Sequence, residues 1–208
     1  MRKALFVATR IASALALTTC LAVIAIASMD VPLALNSAKV TIDGTTNLHP
    51  YSASTATVRV TRAHLSPAPA GTEFWENALK PGVVDVFEIA IPATSLSSPK
   101  EGVDKNMYKA LKTEQYPDIT FRLARFEARD NVPGPRRAIG VLTIAGVERE
   151  VTLLITTKRT GGTLSVHGSL DLLMTDYGVT PPKAMLGMLK TDPKVTVTFD
   201  TVLSIPLM

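Results

Sequence analysis

The side chains that could perform acid–base or metal chemistry are few and scattered in this sequence. His49, His64 and His167 lie in no recognisable nucleophile context, and none is spaced with a carboxylate as metal ligands are on one element. Asp171 and Asp176, near the end of a predicted strand, could transfer protons together or simply form a charged rim. The sequence also has no glycine-rich phosphate loop. We therefore predict no catalytic residue, no metal site and no cofactor.

Apolar side chains recur at every second position along several segments, which is typical of strands with one packed face and one wet face. The predicted strands are Lys39–Asp43, Thr55–Thr61, Asp85–Ile91, Ile119–Leu123, Ala138–Ala145, Arg149–Thr156, Leu164–Met174 and Lys194–Asp200. Turn residues separate them, including a tight hairpin at Ala145-Gly146. His167 falls on the face opposite the apolar set and is predicted to face solvent. About eight short strands joined in this way predict an all-β antiparallel barrel or sandwich.

A barrel of eight strands either encloses one small ligand or fills its interior with side chains. Nine residues on the apolar faces are candidates for the lining: Phe87, Ile89, Phe121, Leu123, Leu153, Leu170, Leu172, Val197 and Phe199. Alternation alone leaves both readings open, because a ligand cavity and a solid core require the same residue types.

Two segments interrupt the strand pattern with helical spacing. Residues Val103–Glu114 place Met107, Tyr108 and Leu111 on one side, and Pro117 then favours an extended chain. Residues Pro181–Leu189 begin with prolines suited to a first helical turn and predict a second short helix, a lid over the barrel.

Flexible and polar side chains near these segments suggest how an apolar site could adapt to a ligand and hold its polar end. Methionine is polarisable and also common core filler, and the candidates are Met107, Met174, Met185 and Met188. A hydroxyl or quinone head group would need a donor, for which Tyr108, Tyr177 and His49 are the candidates.

Residues 1–27 have the three parts of a secretory signal peptide. Arg2, Lys3 and Arg10 precede an uncharged apolar run that ends in Ala25-Ile26-Ala27. We predict cleavage after Ala27, which leaves one domain of residues 28–208 in the periplasm or the secreted fraction. An uncleaved anchor and lipidation at Cys20 are the alternatives.

Without residues 1–27, the formal charge falls from +4 to +1, because the removed segment carries three positive charges and no acid. The remaining lysines and arginines are scattered among acids, so no basic face for nucleic acid is predicted. Cys20 is the single cysteine, and residues 28–208 therefore have neither a disulfide nor a thiol nucleophile.

Five stretches of this sequence, in order and at matching spacing, resemble the YceI-like family over roughly residues 38 to 205. They are Asp43–His49, Asp104–Lys112 followed by Tyr116–Phe121, Gly140–Leu153, Thr175–Val179 and Phe199-Asp200. The resemblance implies an eight-stranded antiparallel, lipocalin-like barrel that encloses a long isoprenoid or similar lipid. Family members are often periplasmic, in agreement with the signal peptide. Thr45-Thr46 and Pro50-Tyr51 depart from the family pattern, which indicates a different entrance loop.

The leading hypothesis is a non-enzymatic barrel that binds or carries a long-chain apolar lipid such as a polyisoprenoid or an isoprenoid quinone. The alternative is a solid barrel that binds a protein partner through its surface, for which the long loop Ala63–Pro81 with Phe74 and Trp75 exposed is the candidate. An enzyme acting on a lipid is the third. Sheet edges can also pair between subunits, so a homodimer stays an alternative.

Overall fold

The computed structural model describes residues 33–65, 73–127 and 135–205. The predicted signal peptide at 1–27 lies outside these residues. Within them, the chain forms one antiparallel sheet with two α-helices and three short 3₁₀ turns. The all-β fold predicted from the alternating segments is confirmed.

Ten strands replace the eight expected, because one predicted strand is divided and a very short one is added. They are β1 (Ala34–Thr46), β2 (Pro50–Thr55), β3 (Arg59–Leu65), β4 (Val84–Pro92), β5 (Asp118–Phe126), β6 (Arg136–Ile144), β7 (Val147–Thr160), β8 (Thr163–Leu173), β9 (Lys183–Ala184) and β10 (Leu189–Ser204). The predicted strand Thr55–Thr61 is wrong in its centre. There the hydroxyl of Thr55 accepts from the backbone N–H of Thr57 at 2.9 Å, which turns the chain between β2 and β3.

The sheet is curled, and its connections show why. Its strand order is β2-β1-β10-β8-β7-β6-β5-β4-β3, with β9 paired to β10. The two edge strands, β2 and β3, are joined by only residues 56–58, so the ends of the sheet must lie close together. The outer edge of β2 is also covered, because Ser54 and Ser97 exchange two backbone hydrogen bonds of 2.8 and 3.0 Å. The result is a barrel-like wall around an interior space.

Short turns set the register of the long hairpins. Ile144 pairs with Val147 across a two-residue turn in which Ala145 and Gly146 have φ of 49° and 78°. Positive φ at both central residues is the requirement of a type I′ hairpin, whose twist matches that of the flanking strands. The predicted tight hairpin is confirmed.

The longer helix, α2, covers Glu101–Leu111, close to the predicted Val103–Glu114. The carboxylate of Asp104 accepts from the backbone N–H of Ser98 at 2.8 Å, which fixes the entry to the first turn. Lys112 ends the helix in the left-handed region at φ 54°. Pro117 then leads directly into β5, as predicted.

The predicted helix Pro181–Leu189 is wrong. The segment forms β9, a 3₁₀ turn at Met185–Gly187 and the start of β10 at Leu189. Leu186 and Gly187 have φ of 56° and 89°, which no right-handed helix accommodates. Asn47 stabilises the hairpin instead, since its side chain donates to the carbonyl of Met188 at 3.0 Å and accepts from the N–H of Lys190 at 2.8 Å.

The exposed position expected for Phe74 and Trp75 is also wrong. Both lie in the short helix α1 (Phe74–Ala78) and are only 4 % and 5 % exposed. Their rings meet edge to face with centroids 5.0 Å apart, and the Trp75 indole N–H donates to the carbonyl of Gly162 at 2.9 Å. Helix α1 therefore closes one end of the barrel rather than presenting an aromatic surface.

No helix within the described residues is long and apolar enough to cross a membrane.

Candidate ligand-binding cavity

The inward faces of the strands enclose an apolar cavity of about 230 Å³, called here the main cavity. Side chains of β1, β3 to β8 and β10 line it, and Trp75, Ala78 and Leu79 close it at the α1 end. Its lining is aliphatic and aromatic apart from His64 and Thr201. Such a surface offers burial to a hydrocarbon and very few hydrogen bonds to a polar solute.

All nine predicted lining residues lie in the wall of the main cavity. They are Phe87, Ile89, Phe121, Leu123, Leu153, Leu170, Leu172, Val197 and Phe199. The two-residue alternation within β4, β5, β7, β8 and β10 brings them to one face because neighbouring strands stay in register over these positions. That they contact a ligand stays a prediction.

A second cavity of about 160 Å³ lies beneath α2, at the opposite end from α1. Its lining surface is mainly apolar and includes Val103, Met107, Ala110 and Leu111 of the helix. The polar side chains of the lining are called here the polar end: Thr46, His49, Tyr51, Asn106, Tyr177, Lys183 and Thr191.

The two cavities meet at a shared ring of side chains. Ile42, Ile119, Ile144, Leu172 and Val197 line both spaces. The interior is therefore a pair of adjoining cavities, called here the passage, with most of the polar side chains at the α2 end. This is a shape that suits an elongated amphipathic molecule with one polar terminus.

Of the remaining predicted site residues, some line the second cavity and others lie outside both cavities. Met107 and Met174 line the second cavity. Met188 is 66 % exposed and lies outside both linings, and the side chain of Met185 lies outside the described residues. Tyr108 contributes to neither lining, because its hydroxyl donates to the carbonyl of Leu96 at 2.6 Å and approaches that of Thr94 at 3.0 Å. It ties α2 to the turn after β4.

Tyr51 and Tyr177 are the hydroxyl donors that the structure places at the polar end. Burial, followed by the nearby Asp192, raises the pKa of Tyr51. Burial also raises the pKa of Tyr177, and Asp176 adds to this while Arg149 opposes it. Both phenols therefore stay protonated at neutral pH and can donate to an oxygen of a bound head group.

Sequence reasoning missed two features of the main cavity. His64 lines it while one ring nitrogen, Nδ1, lies 2.9 Å from the carboxylate of Asp85. Helix α1 closes it, although the spacing of Phe74, Trp75, Ala78 and Leu79 could have indicated a buried helical face. No local signal connects His64 to Asp85, because the pair forms only through the register of β3 with β4.

Glycines in the wall allow two of the lining rings to lie flat against the strands. Phe199 pairs with Gly168, where an added Cβ would collide with the ring, and Phe121 lies over Gly140 in the same way. A ring held against the backbone occupies less of the interior. Gly140 and Gly168 therefore help to keep the passage open.

Gly140→Ala is expected to lower the free energy of unfolding by about 1–3 kcal/mol. Its Cβ would lie 2.5 Å from Phe121 Cζ and 2.6 Å from the backbone oxygen of Arg122, so both ring and strand must move. Urea unfolding measures the change. Gly162→Ala is the matched control, since nothing lies within 4 Å of its Cβ. Equal stability of the two variants would contradict the packing described for Phe121.

The polar pairs on the outer surface are explained by strand pairing. His167 faces solvent as predicted, with Nδ1 2.8 Å from the carboxylate of Asp200 on the neighbouring strand. Asp171 accepts from Thr196 at 2.7 Å and pairs with Lys194 at 2.8 Å, and these hydrogen bonds lower the pKa of Asp171. Within the described residues, no group of three or more His, Cys, Asp or Glu side chains could hold a metal ion.

A curled antiparallel sheet around an elongated apolar cavity places this chain in the class of lipocalin-like β-barrels. Within that class it belongs to the YceI-like domain family, whose profile matches residues 35–203. No curated protein matches the chain significantly in sequence.

Three solved structures illustrate the likeness. BcnA of Burkholderia cenocepacia has a TM-score of 0.61 at 17 % identity, with 79 % of this chain and 95 % of that chain covered. A polyisoprenoid-binding domain from Saccharophagus degradans, implicated in plant cell wall breakdown, has a TM-score of 0.59 at 13 % identity and coverages of 84 % and 98 %. The YceI protein of Campylobacter jejuni has a TM-score of 0.51 at 16 % identity and coverages of 70 % and 80 %. At these identities the likeness shows the fold.

Proposed function

We propose that this protein binds one long apolar lipid of the isoprenoid type inside its barrel and carries it, without catalysing a reaction on it. The observation that carries the proposal is the pair of adjoining cavities, of which the main cavity is apolar from α1 to the shared ring of five residues except at His64 and Thr201. The solved domain from Saccharophagus degradans named for polyisoprenoid binding supports the same class of ligand.

The orientation of the ligand follows from where the polar residues lie. The hydrocarbon chain occupies the main cavity, and the oxygen-bearing head group lies at the polar end near Tyr51 and Tyr177. Each buried CH₂ unit stabilises the complex by about 0.8 kcal/mol, so a prenyl chain needs few hydrogen bonds to bind tightly. A hydroxyl, phenol or quinone oxygen can accept from these hydroxyl donors.

The test is mass spectrometry of an organic extract of the protein purified from its own host. The expected result is one prenyl lipid per protein molecule. If the extract contains none, and the purified protein also takes up none from an offered mixture of prenyl alcohols and quinones, the proposal is wrong. Protein unfolded before the offer is the control for nonspecific adsorption.

We further propose that the protein acts after export, in the periplasm or outside the cell. The charged start, apolar run and small-residue end of residues 1–27 support this. The intact mass of the purified protein and its presence in the periplasmic fraction test it. A full-length mass in a membrane fraction would favour the anchored alternative instead.

A further inference from the structure

Apolar side chains exposed to solvent are concentrated beside the second cavity. Five large hydrophobic residues of the described chain are strongly exposed, and Leu48, Leu186 and Met188 are the three most exposed of them. Leu186 is completely exposed and has a positive φ of 56°, which a leucine rarely adopts. An exposed leucine lowers the solubility of a protein, and a strained backbone lowers its free energy of unfolding. A residue that has both features therefore requires a physical reason.

These three residues form one continuous feature. Leu186 and Met188 lie in the hairpin of residues 183–190, called here the tip hairpin, and Leu48 lies in the turn between β1 and β2. Asn47 joins the two segments, since its backbone N–H donates to the carbonyl of Lys190 at 3.0 Å while its side chain binds Met188 and Lys190. The apolar side chains therefore project from a fixed platform.

Charge at the base of the tip hairpin indicates the partner. Lys183 and Lys190 are exposed and stand directly opposite each other in the β9–β10 pair, and the six residues between them carry no charge. Like charges opposite each other on two strands are unfavourable unless an anion lies between or beside them. Among the described residues, neither ammonium group forms an ion pair. The nearest acid in sequence, Asp192, accepts instead from the backbone N–H of Lys194 at 2.8 Å.

We infer that the tip hairpin and Leu48 dock the protein on a lipid bilayer that carries anionic phospholipid. Projecting apolar side chains flanked by lysines fit an interface of acyl chains and phosphate groups, whereas a protein partner would need a matching pocket for each side chain. The site also adjoins the second cavity, which Lys183 and Leu189 line. Docking therefore places the polar end of the passage at the membrane surface, where a lipid would enter or leave.

The test labels one residue of the patch with an environment-sensitive fluorophore. Leu186→Cys in a Cys20→Ser background is labelled with NBD and mixed with phosphatidylcholine vesicles containing about 30 % phosphatidylglycerol. The expected result is a shift of NBD emission to shorter wavelength with a rise in intensity. The matched control is Leu154→Cys with the same label, because Leu154 is 52 % exposed on the barrel wall away from the tip hairpin.

The two lysines of the tip hairpin allow a second test of the same inference. In the labelled Leu186→Cys protein, Lys183→Gln with Lys190→Gln is expected to weaken the affinity for anionic vesicles about 30-fold, since each lysine near such a surface contributes roughly 1 kcal/mol and each 1.4 kcal/mol is a factor of ten. An unshifted emission from the label at 186, or an equal response at 154, would overturn the inference. Both assays need no bound prenyl lipid, so this inference can fail while the proposed ligand binding stands.

Discussion

Val197→Trp is expected to lower the affinity for a long prenyl alcohol such as solanesol by about 100-fold or more. Val197 belongs to the ring of residues that lines both cavities, so an indole there would obstruct the passage between them. A chain confined to one side loses the burial of every unit beyond the obstruction. Three such CH₂ units already account for about 2.4 kcal/mol, and each 1.4 kcal/mol is a factor of ten in the dissociation constant.

Two controls distinguish an obstructed passage from a protein that has lost its fold. One is a short ligand, and the other is a substitution on the outer face of β10. Geraniol is short enough to be held in one cavity, so its affinity is expected to change far less than that of solanesol. Thr198→Trp is the matched control, because residue 198 lies on the opposite face of β10 and contributes to neither lining. Fluorescence titration measures both ligands. If Val197→Trp leaves solanesol binding intact while the protein stays folded, the two cavities do not act as one passage.

The wall of this passage was predictable because it depends on local alternation. In β4 from Phe87 to Ile91, in β5 from Ile119 to Leu123, in β8 from Leu164 to Leu172 and in β10 from Val197 to Leu203, inward positions follow the two-residue period. A bulge moves later residues to the other face, and the register shifts that do occur, including those at Asp85 of β4 and between Thr191 and Val195 of β10, fall outside these stretches.

The remaining features depend on contacts between segments that are distant in sequence. The tip hairpin has proline and apolar residues that also suit a short helix, and Asn47, more than 130 residues earlier, selects the extended form. The Thr55 hydroxyl, which accepts from Thr57 where the chain turns between β2 and β3, also forms a hydrogen bond of 2.8 Å with the hydroxyl of Ser95, 40 residues later. Whether the barrel is hollow was likewise undecided, since the same residue types form a solid core. Gly168 opposite Phe199, and Gly140 beside Phe121 on the neighbouring strand, allow those rings to lie flat and become visible only when the strands are paired.

Helix α1 is the element in which buried side chains contradict the prediction of an exposed aromatic surface. Phe74 and Trp75 follow a proline-rich stretch, and such stretches usually lie at the surface. In the structure they pack with Leu65, Ala78, Leu79, Leu164 and Leu203 into one core cluster. The feature that suggested a protein-binding surface is therefore absent from the described residues. This outcome favours a barrel that works through its interior.

Trp75→Ala is accordingly expected to lower the free energy of unfolding by about 3–5 kcal/mol, as for other large aromatic residues removed from a core. The indole is 5 % exposed, meets Phe74 edge to face and donates to Gly162. Its loss would leave that end of the main cavity open and the Gly162 carbonyl without its donor. Urea unfolding followed by far-ultraviolet circular dichroism measures the change.

Two milder variants at the same helix show which interactions matter. Trp75→Phe keeps a ring but loses the hydrogen bond, so a loss of about 1 kcal/mol for that bond, plus a smaller packing loss, is expected. Glu76→Ala removes an exposed ion pair with Arg159 at 2.9 Å and is expected to cost less than about 1 kcal/mol. If Trp75→Ala costs no more than Glu76→Ala, then Trp75 does not close the barrel. Because α1 forms the end wall of the main cavity, a packed Trp75 also limits the length of the chain that the barrel can enclose.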